Sequence, residues 1–356
     1  MKWPKATAKT TEMKKLPELN YESFLAAAMR DYLDYLDHLG FSTKNHAYNL
    51  KSIDRFLIEN GIRHTEQLNT RLMVEFADKH KGRIKANTLR LLRHTFYGFC
   101  RYMIRLGWMV ENPAAGFPVL KSQPYLPHVF SPQELRLFFD SFKAKIRQEE
   151  NPTVRFRALS WHTFYHLLYA CGLRVSEATA LTTSVYCSRQ ATLYIERSKF
   201  RKDRLIPISR IVCSNLDHLL TVRQGLFGIQ QEGFLFLLMP QLRPYNRDWP
   251  GQYFRRVLQR LGMYHNRQYH CGVYHGTPHL HELRRAFAVH RLLRWYREGA
   301  DVNAKLPLLA TYMGHSYFGH TKTYLTLTQQ LLSEAGSRFA QSFDRLDWMK
   351  DDSKLG

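Results

Sequence analysis

Residues 167–181 read LLYACGLRVSEATAL, and the stretch has the composition of a protein interior until it reaches Arg174. Leu167, Leu168, Ala170, Cys171 and Leu173 precede the arginine; Val175, Ala178 and Leu181 follow it. A guanidinium left dry without a partner costs several kcal/mol or more. Glu177, three residues on, can take it as an i,i+3 helix pair; alternatively, the anion that Arg174 meets lies outside the chain.

Charge narrows the choice of anion. The chain has 356 residues, enough for two ordinary domains, and 52 Lys+Arg against 30 Asp+Glu give a formal net charge of +22. A surplus of that size points to a polyanion, nucleic acid or an anionic membrane. No apolar run reaches the ~18 residues of a bilayer span. The start, MKWPKATAKTTEMKK, is basic but lacks the apolar centre of a signal peptide. Five scattered cysteines (100, 171, 187, 213 and 271) fit reduced thiols in the cytoplasm better than a disulfide framework. The expected partner is double-stranded DNA, with no membrane.

The basic charge is concentrated. Eight basic residues fall between Lys79 and Arg105, including Lys81, Arg83, Lys85, Arg90, Arg93, Arg101 and Arg105, and no acid occurs between Asp78 and Glu111. Within this run, Leu89, Leu92, Phe96, Phe99 or Cys100, Met103 and Leu106 make one apolar helical stripe. Arg90, His94, Tyr97, Arg101 and Arg105 recur on another, a pattern suited to a helix lying along a DNA backbone. Helices are also expected over 20–40, over 42–61 with Ser42 as N-cap, and over 65–80. Residues 1–19 are a basic extension and 20–118 an all-helical unit. Five prolines in ENPAAGFPVLKSQPYLPHVFSPQE (111–134) mark a linker at 119–128.

The unit from 129 to 336 is mixed. Ser131, Pro132 and Glu134 form a helix-starting box, followed by helices near 132–146 and 153–171. Strands are expected over 183–187, 191–197 and 204–209, with Lys199, Arg201 and Lys202 at the tip of a hairpin between the last two. Further helices fall near 212–224, 249–262, 280–297 and 303–313, and no phosphate-cradling P-loop is present. The fold class expected is mainly α with a small β-sheet.

Four short pieces carry the chemistry: CGLRVSEATAL, RSKFRKDRLIPI, TPHLHELRRAFAVH and LLATYMGHSYFGHTKTYLTLT. His281 and Arg284 stand at i and i+3, on one helix face; His315 follows Gly314, and Tyr324 lies nine residues later. In that order and spacing they resemble the tyrosine recombinases, or phage-type integrases, whose motifs are the arginine of G-L-R-x-S-E, H-x-x-R, G-H and a tyrosine beyond. The resemblance extends to YLDYLDHLGFS and ENPA in the helical unit, and so to nearly the whole chain. It implies a SAM-like core-binding domain followed by a mixed α/β catalytic domain, with no metal and no cofactor. It further implies a catalytic set of Arg174, Lys199, His281, Arg284, His315 and Tyr324, and places Lys81, Arg83, Lys85, Arg90, Arg93, Arg101, Arg105, Arg201 and Lys202 against DNA.

The residue types suit that chemistry. Two arginine forks can hold the non-bridging oxygens of a phosphodiester and stabilise the charge that grows as phosphorus becomes five-coordinate. A free tyrosine, with a pKa of about 10, needs such a field, or a base, to attack. By the resemblance, Lys199 protonates the departing 5′ oxygen as general acid, with Lys202 on the same tip as its rival, and the product is a 3′-phosphotyrosine. The histidines add hydrogen bonds or handle the tyrosine proton.

Two departures stand out. Arg285 occupies a position where many members carry histidine, and the 31 residues from Arg284 to His315 exceed the family spacing, the excess expected as a loop within LRWYREGADVNAKLP. DVNAKLPLLATYMGHSYFGHTKTYL looks most like integrase-type transposases, which favours a recombinase of a mobile element acting in integration, excision or transposition. A homo-tetramer on two DNA sites is implied, with residues 337–356 docking on a neighbouring protomer and accessory recombination proteins as further partners. The alternatives are a type IB topoisomerase and a DNA-binding protein that kept the fold without catalysis. The histidines at 265, 270, 275, 279 and 281, with Cys271, match no zinc spacing and suit an aromatic, basic loop against DNA.

Overall fold

The computed structural model describes residues 19–80, 83–84, 86–116, 125–196, 203–228, 233–239, 241, 243–270 and 273–315. Lys81, Lys85, Lys199, Arg201, Lys202, Cys271 and Tyr324, residues 1–18 of the basic extension and the 337–356 tail lie outside them. The chain divides into two compact units, Met1–Ser122 and Gln123–Gly356.

The first unit is helical among its described residues: α1 (Ala26–His38), α2 (Lys44–Glu59), α3 (Thr70–His80) and α4 (Ala86–Arg105). Met29, Leu50, Leu57, Phe76, Phe96, Phe99 and Cys100 fill its core. The stripe expected on α4 is buried from Leu89 to Met103, but Leu106 is exposed, because the helix ends at Arg105 and its period stops there. Tyr97, expected on the basic face, packs partly buried against this core.

Helix α1 begins six residues later than the periodicity suggests, for a reason in α2. The buried Asp54 carboxylate takes the backbone N–H groups of Glu22 (3.1 Å) and Ser23 (2.9 Å), which holds that segment out of the helix. The expected Ser42 cap is displaced as well: Thr43 occupies the N-cap of α2, with no side-chain capping bond. The 65–80 segment splits, because the Gln67 side chain closes a 3₁₀ turn at Thr65–Gln67 and the Asn69 carboxamide oxygen caps the Leu72 amide (3.0 Å).

In the second unit α5 (Pro132–Gln148) opens with the expected box: Ser131 Oγ accepts from the Glu134 amide, and Glu134 accepts from the Ser131 amide. α6 (Pro152–Cys171) is buried on nearly every side and packs against its neighbours through Phe156, Trp161, Phe164, Tyr165 and Leu168. It ends at Gly172 in the left-handed conformation (φ 57°). The short α7 (Val175–Ala180) follows, then a 3₁₀ turn (Thr183–Val185). Only Tyr186–Cys187 of the expected 183–187 strand is β2, in an antiparallel sheet ordered β2-β3-β4 with β3 (Thr192–Ile195) and β4 (Arg204–Pro207). α8 (Arg210–Phe227), α9 (Trp249–Arg260), α10 (His281–Arg297) and α11 (Val302–Met313) complete the helices among the described residues.

Other strands of two or three residues are too short to leave a period in the sequence. β1 (Tyr125–Leu126), inside the proline-rich segment read as a linker, pairs in parallel with β8 (Val273–His275), which pairs in turn with β7 (Gln268–His270). β5 (Leu237–Leu238) pairs with β6 (Arg243–Pro244). The helices expected over 280–297 and 303–313 are α10 and α11 to within a residue, and of the segment 293–307, where the excess length was expected as a loop, only residues 298–301 lie outside helix. Asp301 caps the Ala304 amide (3.1 Å) and so starts the new helix at once. The extra length is therefore taken up largely in helix.

Burial would raise the Asp54 carboxyl, but hydrogen bonds from Ser23, Glu22 and Lys51 bring it below its usual value. A carboxyl depressed by folding stabilises the fold fully above its unfolded value, about 3.9, and that contribution is lost as pH falls from there through the folded value. Asp54→Asn keeps the shape and removes the charge. Urea unfolding of the full chain at pH 7 should show the helical unit weakened by roughly 1.5–3 kcal/mol. A midpoint equal to the parent's would mean that Asp54 does not anchor the entry to α1.

Candidate active site

Arg174 does not sit inside a helix; it is the N-cap residue of α7, in extended conformation. Glu177, at the third position of α7, accepts from the Arg174 amide (2.9 Å) and from Arg174 Nη1 (2.7 Å). Its carboxylate is almost wholly buried, and a second arginine meets it there. Arg204, the first residue of β4, places Nη1 3.1 Å from Oε1 and Nη2 3.0 Å from Oε2, a two-pronged fork. A third guanidinium, that of Arg284, approaches the same carboxylate at 4.0 Å. Burial would raise the Glu177 carboxyl, but the Arg204 fork, the Arg174 amide and the two neighbouring charges hold it below its usual range.

The same three arginines close the end of α11. Gly314 (φ 67°) turns the chain, with the His315 amide donating to Ala310 O (2.9 Å) and the Gly314 amide to Thr311 O (3.0 Å). The next three carbonyls in the chain each receive one guanidinium. Arg204 Nε donates to Tyr312 O (2.9 Å), Arg284 Nη2 to Met313 O (2.7 Å) and Arg174 Nη2 to Gly314 O (2.8 Å). Cations there also meet the negative end of the helix dipole. Arg284 further donates to Gly172 O at the end of α6. Thus α6, α7, β4, α10 and α11 meet at one cluster.

The arginines differ in access: the Arg174 side chain is 22% exposed, Arg204 10% and Arg284 2%. Arg174 is the member of the set turned most to solvent, and Arg284 is a buried tie between two helix ends. Nothing in the sequence singled out Arg204 beyond its place at the start of an expected strand. Its signal was weak: a lone arginine with no carboxylate at helical or cross-strand spacing.

His281 heads α10 at the surface, yet the surrounding protein and the guanidiniums of Arg284 and Arg285 lower its imidazole to about 4. It is therefore neutral at pH 7 and presents one N–H and one acceptor nitrogen. Arg285 has a structural use that the sequence did not reveal: with His279 (2.9 Å) it neutralises the fully buried carboxylate of Glu282. The backbone of His315 is fixed by its bond to Ala310. The expected aromatic, basic loop is the β7–β8 hairpin, where the Arg267 guanidinium lies over the rings of Tyr274 (3.8 Å) and Tyr125 (5.3 Å). Among the described residues no three His, Cys, Asp or Glu side chains gather as a metal-binding group.

In the helical unit, Arg83, Arg90, Arg101 and Arg105 are exposed and Arg93 is half-buried. Arg105 is engaged, donating to the Tyr35 hydroxyl (2.9 Å), and Arg90 rests on the Asn87 carboxamide (3.0 Å).

Residues 146–330, just over half of the chain, match the Phage integrase family. The chain belongs to that family. This integrase-family chain is 26% identical over 322 residues to a Sinorhizobium fredii protein named as an integrase/recombinase, y4rB, a match covering 89% of this chain and 97% of the other. It is 29% identical over 248 residues to the tyrosine recombinase XerD of Brucella suis, covering 70% of this chain and 73% of XerD. Among solved structures, that of the Tn1549 transposon integrase in complex with a circular intermediate DNA superposes with a TM-score of 0.61 at 17% identity, covering 88% of this chain and 99% of that one. That last likeness is one of fold. As a family member the chain is a site-specific tyrosine recombinase, an enzyme that cuts and rejoins DNA.

Removing the central carboxylate leaves three clustered guanidiniums without their anion. Glu177→Ala should therefore destabilise the second unit by about 3–5 kcal/mol, seen as a lower urea midpoint for its unfolding transition. A midpoint unchanged from the parent's would mean that solvent or the α11 carbonyls suffice to hold the arginines.

Proposed function

We propose that this recombinase cleaves one strand of double-stranded DNA with Tyr324 as nucleophile, forming a 3′-phosphotyrosine, and acts in the integration, excision or transposition of a mobile element in the cytoplasm. The observation that carries the reading is the convergence of Arg174, Arg204 and Arg284 on Glu177 beneath the helix end that leads into His315.

The steps follow from the groups. The scissile phosphate meets the open side of Arg174, whose guanidinium takes a non-bridging oxygen, with Arg284 behind it supplying positive field. Neutral His281 offers an N–H to the same oxygens without adding charge. The Tyr324 oxygen attacks phosphorus and passes its proton to a histidine of the set, His281 or His315, the P–O5′ bond breaks, and the 5′ oxygen takes a proton from Lys199. Rejoining reverses each transfer, so the phosphodiester energy is kept in the tyrosyl ester. Tyr312 is a poor rival nucleophile: its hydroxyl donates to Pro207 O (3.0 Å), and burial pushes its pKa well above the ordinary value.

Residues 20–118 serve as the core-binding unit and 129–336 as the catalytic one, joined by 119–128. Arg83, Arg90, Arg93, Arg101 and Arg105, with Lys81 and Lys85, lie along DNA from the first unit; Arg201 and Lys202 do so from the hairpin of the second. Four copies on two DNA sites, linked through 337–356 and aided by accessory recombination proteins, carry out strand exchange.

Nicked suicide duplexes tiled across the DNA flanking the gene should trap a covalent adduct, and Tyr324→Phe should abolish it while leaving affinity for the same duplex unchanged. Peptide mapping of the adduct to any other residue would refute the assignment. Relaxation of a supercoiled plasmid by single copies, with no pairing of sites, would favour the topoisomerase alternative.

Phosphate contacts from α4 have a separate signature. Arg90→Ala or Arg101→Ala should weaken binding across sequences and lower the slope of log K against log salt by roughly one unit each. An unaltered slope in a filter-binding titration would return that face of α4 to solvent.

A further inference from the structure

Arg204 belongs to none of the motifs that mark the catalytic set, yet among the described residues its side-chain hydrogen bonds go to Glu177 and to the Tyr312 carbonyl, both part of the site. Its fork spans both oxygens of Glu177, and its Nε holds the Tyr312 carbonyl. Close approach is built in from the other side. A Cβ on Gly314 would lie 2.7 Å from Arg204 Nη1 and 2.9 Å from its Cζ, so the glycine makes room for the guanidinium as well as for the left-handed turn. A second tie runs alongside, from the Tyr312 hydroxyl to Pro207 O at the end of β4. With its side chain only 10% exposed, Arg204 faces protein and is not placed to grip a phosphate as Arg174 is.

Position along the chain gives these contacts their meaning. Arg204 begins β4, where it pairs with Ile195 of β3, and Lys199 lies between those two residues, five before Arg204. Tyr312 and Gly314 end α11, immediately before His315, and Tyr324 follows ten residues after Gly314. Arg204 is thus bonded at the root of the segment that carries the acid and at the root of the segment that carries the nucleophile. Glu177 links both to Arg174.

We infer that Arg204 is a positioning residue that locks the acid-bearing hairpin to the end of α11, so that Lys199 and Tyr324 are aligned on one phosphate together. The inference rests on the recombinase reading above. It differs from a purely structural role in one respect: loss of Arg204 misplaces the acid and the nucleophile at once, whereas loss of Lys199 removes the acid alone.

The test uses the full-length protein in single-turnover cleavage of a trapped duplex, with either oxygen or sulfur at the 5′ bridging position of the scissile phosphate. A thiolate leaves without a proton, so sulfur makes the acid dispensable. Lys199→Ala should be slow on oxygen and restored on sulfur. Arg204→Ala should be slower by about 100-fold, the scale of an ångström of misplacement, with duplex affinity unchanged and only partial restoration on sulfur. Arg204→Lys keeps the charge but loses the fork and the Nε bond, and should fall between Arg204→Ala and the parent. The double variant Lys199→Ala, Arg204→Ala should be faster than the product of the two single losses predicts, because both disturb the same acid.

A multiplicative double variant would overturn the inference, as would full restoration of Arg204→Ala by sulfur. So would a loss that tracks melting temperature and vanishes on cooling, which marks a fold defect. Should Arg204→Ala not fold, Arg204→Lys and Gly314→Ala, which crowds the same guanidinium, carry the comparison. The underlying reading fails separately, by a Lys199→Ala variant that sulfur does not restore or a Tyr324→Phe variant that still forms the adduct.

Discussion

One buried carboxylate makes the cationic site possible. Three guanidiniums drawn together repel, by about 4 kcal/mol per pair at 4 Å in an effective dielectric of 20. Glu177 meets all three from the first turn of α7. Its single charge offsets one of three, and the end of α11 adds roughly half a negative charge more. The balance stays positive by design of the sequence: enough anion to hold the arginines in place, too little to neutralise them. In the proposed mechanism a phosphodiester supplies what is missing, and a five-coordinate phosphorus bearing more negative charge is favoured further.

The carboxylate and the helix end do different work. Glu177 fixes where the guanidinium planes lie, through the bidentate Arg204 and the capping geometry of Arg174. The carbonyls of Tyr312, Met313 and Gly314 fix the distance from α11 to α7, β4 and α10. These carbonyls are acceptors that a helix end leaves open, and in most helices water takes them. Here arginines take them, which turns an end effect of secondary structure into the joint of the site. The Schellman turn at Gly314 matters for the same reason, since any residue with a Cβ would push Arg204 away.

Much of this was legible in the sequence where the cause is local. The Arg174–Glu177 pair was visible from spacing, the Ser131–Glu134 box from residue type, and the buried stripe of α4 from its period. What was not legible depends on contacts far apart in the chain. Nothing near Arg204 announces an acid 27 positions earlier, or a carbonyl 108 positions later. The late start of α1 is set by Asp54, on another helix, outcompeting the helix for the Glu22 and Ser23 amides. The two helices between Arg284 and His315 were legible from their periods, but the excess over the family spacing was expected as a loop within 293–307. The Asp301 cap shows instead that the length is taken up by helix on both sides of one tight turn. The burial of Arg284 was not legible either: an H-x-x-R pattern places two side chains on one helix face but does not tell how deep that face lies.

The arrangement separates what must be rigid from what must meet the substrate. The arginine cluster is built from helix ends and a strand start, each fixed by backbone bonds, so its field is preorganised before DNA arrives. In the proposed mechanism the two groups that exchange protons and bonds with the phosphate flank the cluster along the chain. Lys199 falls between the paired residues Ile195 and Arg204, and Tyr324 follows the Gly314 turn by ten residues. Along the chain, both lead back to Arg204 or to the Tyr312 carbonyl it holds. Acid and nucleophile must act on opposite sides of one phosphorus, since the P–O5′ bond breaks as the tyrosyl bond forms. A site assembled from two remote chain segments meets that demand if the segments share a reference point, and on the inference drawn above the Arg204–Glu177–Tyr312 junction is that point.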